Sequence, residues 1–116
     1  MLFRIDPASG APLFEQLAAS ARTELARGGL RVGDRLPGAR DVAAALDVNI
    51  HTVLKAYQVL RDEGLIDLRR GRGAVVVAGT AAPELHDAVR ALVADARRHR
   101  IGASTLIALI TEEYSR

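Results

Sequence analysis

Cysteine is absent from the chain, which removes disulfides and cysteine-ligated zinc and fits a reducing compartment. Nowhere do about 18 apolar residues run together, the length a helix needs to cross a bilayer. The opening Met1-Leu2-Phe3-Arg4-Ile5-Asp6 lacks the long apolar centre of a secretory signal. A cytoplasmic protein without a membrane partner is expected. Paired metal ligands are also missing, since His51, His86 and His99 have no partner one helical turn away, so neither a metal nor a cofactor is expected. The four serines form no nucleophile, base and carboxylate pattern, which argues against an enzyme. A strong charge excess is lacking as well. Sixteen basic and fourteen acidic residues leave +2, so the placement of individual arginines must carry any affinity for a polyanion. At 116 residues there is room for one compact domain and an appendage, but not for a large sensor domain in addition.

What is present is concentrated between Val42 and Gly73. Val42, Ala43, Leu46, Val48, Val53 and Ala56 are spaced as two short helices require when they cross steeply around a tight turn. Ala43 is small where such helices approach each other. Asp47 falls in the turn, where the backbone often needs positive φ and aspartate tolerates it better than most residues. Asn49 then supplies an N-cap for the next helix. Beyond that helix, two short apolar runs flank Arg69-Arg70-Gly71-Arg72-Gly73, as in a hairpin with a basic tip. The glycines do not make a nucleotide-binding loop, because a third glycine is missing and a strand follows where a helix would be needed. Together these features predict a mainly α fold with a small β-hairpin wing: a winged helix-turn-helix domain over residues 1–78 and a helical tail over 79–116.

Along the rest of the chain, Leu2 to Ile5 reads as a short strand and Pro12 as the first residue of a helix. That helix carries Phe14, Leu17, Ala18, Ala21 and Leu25 on one face and is stopped by Gly28-Gly29. Gly33-Asp34 through Pro37-Gly38 reads as a loop. Further helices are expected over about 39–46 and 50–63, strands over 65–68 and 74–77, a small-residue linker over 79–83, and two tail helices over about 83–100 and 103–115.

The segments P-L-F-E-Q-L (12–17), G-D-R-L-P (33–37), T-V-L-K-A-Y (52–57) and E-G-L-I through R-R-G-R-G-A-V-V (63–76) resemble the N-terminal domain of the GntR family of bacterial transcription regulators. The resemblance covers roughly residues 11–78. V-N-I-H-T-V-L-K-A-Y, with the short remainder, is most similar to the YtrA-type subfamily, which carries a small helical dimerisation tail. Ile50-His51 and Gly38-Ala39 depart from the Pro-Asn and Ser-Glu usual there. The resemblance implies a homodimer on double-stranded operator DNA, most often a repressor of a nearby operon for transport or stress response, and of its own gene. It leaves the effector unknown.

The candidate DNA-contacting residues are Arg40, Asn49, His51, Thr52, Lys55, Arg70, Gly71, Arg72 and Gly73. Arg40 matches the position where the family places a contacting arginine; the competing expectation is an ion pair with Asp41 or Asp62. His51, Thr52, Lys55 and Gln58 lie near the start of the third helix, the end that enters the major groove in this motif. Ile50 and Leu54 stand where many relatives in the wider family have arginines, and Ile50 suits a methyl contact or a staple onto the domain. Gly71 and Gly73 allow a tight turn that leaves Arg72 at the tip. In the tail, Leu85, Val89 and Leu92 with Val93 and Ala96, and Leu106, Ile107 and Ile110 with Leu109 and Tyr114, form two apolar stripes. Two short helices cannot bury both stripes on each other, so part of that surface is expected to cover the winged domain and the rest to meet a second copy across a two-fold axis, the alternative being a monomer whose tail folds back on its own domain. The alternatives are a winged-helix module that binds protein, against which the basic wing argues, and an architectural protein indifferent to sequence.

Overall fold

Leu17, Ala18, Ala21 and Leu25 recur at three- and four-residue spacing, and all four are buried along α1, Leu13–Arg27. The computed structural model describes residues 2–79 and 82–116. In chain order α1 is followed by α2 (Ala39–Leu46), α3 (Ile50–Asp62), β1 (Ile66–Arg69), β2 (Gly73–Val76), α4 (Pro83–Arg98) and α5 (Ala103–Tyr114). The described residues form two compact units, one within Met1–Ala82 and the other Pro83–Arg116.

The core of the first unit joins one stripe from each helix to the hairpin. Phe3, Leu17, Val42, Val53, Leu60 and Val76 are its largest wholly buried side chains. Leu46, Val48 and Ile50 are half-buried against it, so Ile50 acts as a staple at the entry to α3. Pro12 occupies the cap position before α1 rather than its first turn. With ψ at 146° it is still extended, so the helix begins one residue later than its sequence suggests.

Between α2 and α3, Asp47 adopts the left-handed conformation at φ 54° and ψ 50°. Val48 closes the turn by donating its N–H to the Ala43 carbonyl at 3.0 Å. Asn49 caps α3, its side-chain oxygen accepting from the His51 N–H at 2.8 Å. This satisfies one of the N–H groups that a helix start leaves without an intrahelical partner.

Two segments differ from their sequence pattern. Leu2–Ile5 is not a strand, because Ser20 on α1 takes the backbone that a neighbouring strand would have paired. Its hydroxyl accepts from the Arg4 N–H at 3.1 Å and lies 3.0 Å from the Arg4 carbonyl. The supposed loop after α1, in contrast, pairs as a strand would. Gly33 and Leu36 donate to the Val76 and Ala74 carbonyls, each at 2.8 Å, and Val76 donates to the Asp34 carbonyl at 2.8 Å. A bridge from Arg35 to Val75 lies between them. β2 is therefore flanked on both sides, by this segment and by antiparallel β1 in the register Ile66 to Val76 and Arg69 to Gly73. The strands start and stop one residue from their expected places, β1 later and β2 earlier.

In the second unit, α4 ends at Arg98 and α5 at Tyr114, short of the expected ends. Arg100 turns the chain at φ 58°, and the Ile101 N–H returns to the Ala96 carbonyl at 2.8 Å. Of the expected linker over 79–83, Thr80 and Ala81 lie outside the described residues.

Candidate nucleic-acid interface

α3 buries Val53, Ala56, Tyr57 and Leu60, packs Ile50 and Val59 partly against the same core, and turns another face outward. His51, Leu54, Lys55 and Gln58 are exposed and Thr52 is half-buried. Their spacing of three and four puts the exposed set on one helical face. Lys55 does not extend freely. Its ammonium lies 4.1 Å from the centroid of the Phe14 ring, a cation–π contact that α1 offers to α3. Asn49 is committed through its oxygen to capping.

Arg40 is exposed in the first turn of α2. The pairing with Asp41 or Asp62 that competed for it does not form among the described residues; Asp62 sits instead 3.5 Å from Arg61. Arg70 and Arg72 also lack an ion pair among the described residues, whereas the Arg69 Nε donates to Asp67 Oδ2 at 3.3 Å. The wing turns through Gly71 at φ 80° and Gly73 at φ 74°, conformations natural to glycine. The Arg72 N–H closes the turn onto the Arg69 carbonyl at 3.1 Å. Arg35 then reaches the tip, its Nε donating to the Arg72 carbonyl at 2.9 Å.

Between α3, the entry to α2 and the wing lies an open cleft of about 460 Å³. Its walls include Leu54, Tyr57 and Leu68, with Arg69, Arg70 and Arg72 around it. Tyr57 fixes one side by donating its hydroxyl to the Pro37 carbonyl at 2.5 Å. Burial pushes that phenol well above its usual range, so it remains a donor at any pH at which the protein works. Of the residues expected from sequence, the cleft gathers Arg70, Arg72 and Gly73. Arg40, Asn49, His51, Thr52, Lys55 and Gly71 lie outside its lining. Sequence reasoning missed Phe14 and Arg35 as supports, because each acts through a residue far away in the chain. Leu54 and Leu68 were open to discovery as apolar residues at positions the core does not need.

In the tail unit, Leu85 and Ile107 are each 62% exposed and Tyr114 91%. Val89, Leu92, Leu109 and Ile110 are exposed too, while Leu106 is half-buried. Leu92, Leu106, Leu109, Ile110 and Tyr114, with Glu113, line a hollow of about 410 Å³.

Residues 13–76 match the family of bacterial regulatory proteins named gntR. The chain belongs to the GntR family. It is a DNA-binding transcription regulator. It is 37% identical over 75 residues to the HTH-type transcriptional repressor YtrA of Bacillus subtilis, a match covering 65% of this chain and 58% of that one. It is 29% identical over 113 residues to the HTH-type transcriptional regulator Rv1152 of Mycobacterium tuberculosis, covering 97% and 88%. The solved structure of YtrA from Sulfolobus acidocaldarius, a GntR-family transcription factor, superimposes with a TM-score of 0.63 at 34% identity, over 84% of this chain and 99% of that one. Similarity to two YtrA proteins agrees with the YtrA-type signature around α3. Among the described residues no helix is long and apolar enough to cross a membrane.

Proposed function

We propose that this regulator is a homodimeric repressor acting in the cytoplasm, with the winged domain reading operator DNA and the two-helix tail joining the copies. The observation that carries this is the pair of arginines Arg70 and Arg72, which make no ion pair among the described residues and share a cleft with the exposed Leu54 of α3. That arrangement suits a helix start in a major groove and a wing on the adjoining backbone or minor groove. Arg40 adds a third cation that makes no ion pair among the described residues. The apolar residues left exposed on α4 and α5 support self-association, since a surface of that kind is what a two-fold contact covers. Repression is supported by the name borne by the Bacillus subtilis relative. It would act by occupancy, two α3 helices in successive major grooves excluding polymerase from a nearby operon and from the protein's own promoter. Selection of bound sequences from random DNA, followed by transcription from a promoter carrying the selected site, tests the proposal. An inverted repeat whose occupancy silences the promoter is expected. Equal binding to all sequences would indicate an architectural protein instead.

A further inference from the structure

Leu54 is the one aliphatic residue on the exposed face that α3 shares among His51, Leu54, Lys55 and Gln58. It is 40% exposed and belongs to the first half of the helix, the part that reaches base edges in this motif. Leu68 of β1, 42% exposed, lines the same cleft from the wing, as do Arg69, Arg70 and Arg72. The core does not account for this pair, since the buried stripe of α3 is complete without Leu54. A cleft that carries two exposed leucines and several arginines matches a duplex edge: phosphates suit the cations and something apolar must meet the leucines. The major groove offers one apolar group among its hydrogen-bonding edges, the C5-methyl of thymine. Leucine has neither donor nor acceptor. Pressed against guanine, adenine or cytosine it would strip water from a polar edge without replacing the lost hydrogen bonds.

We propose that Leu54, supported by Leu68, is a specificity-determining residue that selects a thymine methyl in each half-site. The inference rests on the operator-binding function above and adds the identity of one base and the residue that reads it.

The test is a thymine-to-deoxyuridine scan of the selected operator, which deletes single methyl groups and leaves base pairing intact. Binding is measured by fluorescence anisotropy for the wild type and for Leu54→Ala. One thymine per half-site should weaken wild-type binding roughly fourfold when its methyl is removed, and about sixteenfold when both symmetric positions are changed. The same deletion should leave the affinity of Leu54→Ala unaltered. A third protein, Leu54→Arg, should exchange the preference for thymine at that position for guanine, whose O6 and N7 accept from a guanidinium. If the operator is bound tightly but no methyl deletion depends on residue 54, the assignment of Leu54 is overturned while operator binding stands. If no sequence is preferred at all, the operator-binding function falls first and this inference with it.

Discussion

Arg35 holds the tip of the wing: its Nε donates to the carbonyl oxygen of Arg72 at 2.9 Å across 37 positions of sequence. Arg35 is itself fixed, because its backbone bridges Val75 on β2. The backbone of Arg72 is thereby restrained while its side chain remains exposed, an arrangement that spares a DNA contact part of the entropy of ordering the tip.

Replacing Arg35 with alanine removes this brace without removing a cation from the tip itself. Operator affinity should fall about fivefold, near 1 kcal/mol for one net hydrogen bond, with little change in melting temperature. Anisotropy titrations of wild type and Arg35→Ala at equal salt check this. Unchanged affinity would show that the brace does not order the wing for binding.

Arg72→Ala should be more damaging, costing about 1 to 3 kcal/mol in operator affinity and lowering the slope of log affinity against log salt by about one. Arg69→Ala should cost less, because Arg69 already spends its Nε on Asp67. Salt titrations of the two variants separate them. A larger loss at Arg69 would reverse the assignment of which wing arginine meets DNA.

The helix-turn-helix was legible because its signals are local. Asp47 in a left-handed turn and Asn49 as a cap follow from chemistry within a few residues, and the buried spacing of Val53, Ala56, Tyr57 and Leu60 is a periodicity. Contacts between segments distant in sequence were not legible. Nothing near Gly33–Leu36 announces that β2 will pair with it, and Leu2–Ile5 looks like a strand until Ser20 claims the Arg4 backbone. Likewise Lys55 reads as a free groove contact until Phe14, on another helix, is seen beneath its ammonium. The apolar and charged character of the interface was thus visible, but not the supports that orient it.

His51 and Thr52 should govern preference rather than total affinity. His51→Ala and Thr52→Ala are expected to flatten discrimination among operator variants, each by about 1 to 3 kcal/mol at one base pair, with a smaller effect on random DNA. Asn49→Ala should differ in kind. Loss of the cap should lower folding stability by about 1 kcal/mol, seen in a urea melt without DNA. Equal losses on operator and random DNA for His51 and Thr52 would remove them from base reading.

Arg22 and Glu63 join α1 to the residue after α3 in a two-pronged ion pair, Nε to Oε1 at 2.8 Å and a second nitrogen to Oε2 at 2.5 Å. The Arg22 hydrogen bond holds the Glu63 carboxyl below the usual carboxylate range. A carboxyl with a lowered folded-state pKa stabilises the fold above its ordinary pKa and ceases to do so as pH falls through the lowered value. Both side chains are more than a third exposed, so solvent screening limits the pair to less than about 1 kcal/mol. Glu63→Gln should therefore melt slightly below wild type at neutral pH, with the gap closing on acidification through and below the carboxylate range. A gap that persists in acid would assign the effect to packing.

In the proposed homodimer the tail makes two weak half-site contacts act as one. With Ile107 and Tyr114 exposed, a carboxylate at Ile107 places charge in the middle of the surface proposed to meet a second copy, where burial unpaired is costly. Dimerisation makes the second half-site engagement intramolecular, and losing that advantage weakens binding by a factor of about 10² to 10⁴. Ile107→Glu, and separately a chain lacking Pro83–Arg116, should therefore sediment as monomers and bind a full operator about a hundredfold more weakly. Affinity for a single half-site should be nearly unchanged, since the winged domain has a core of its own. Half-sites should lie about one helical turn apart, roughly 10 base pairs or a multiple. Sedimentation of all three chains with and without DNA checks each point: a wild-type monomer that grips its operator as tightly as the expected dimer would leave the exposed faces of α4 and α5 without the role given to them here.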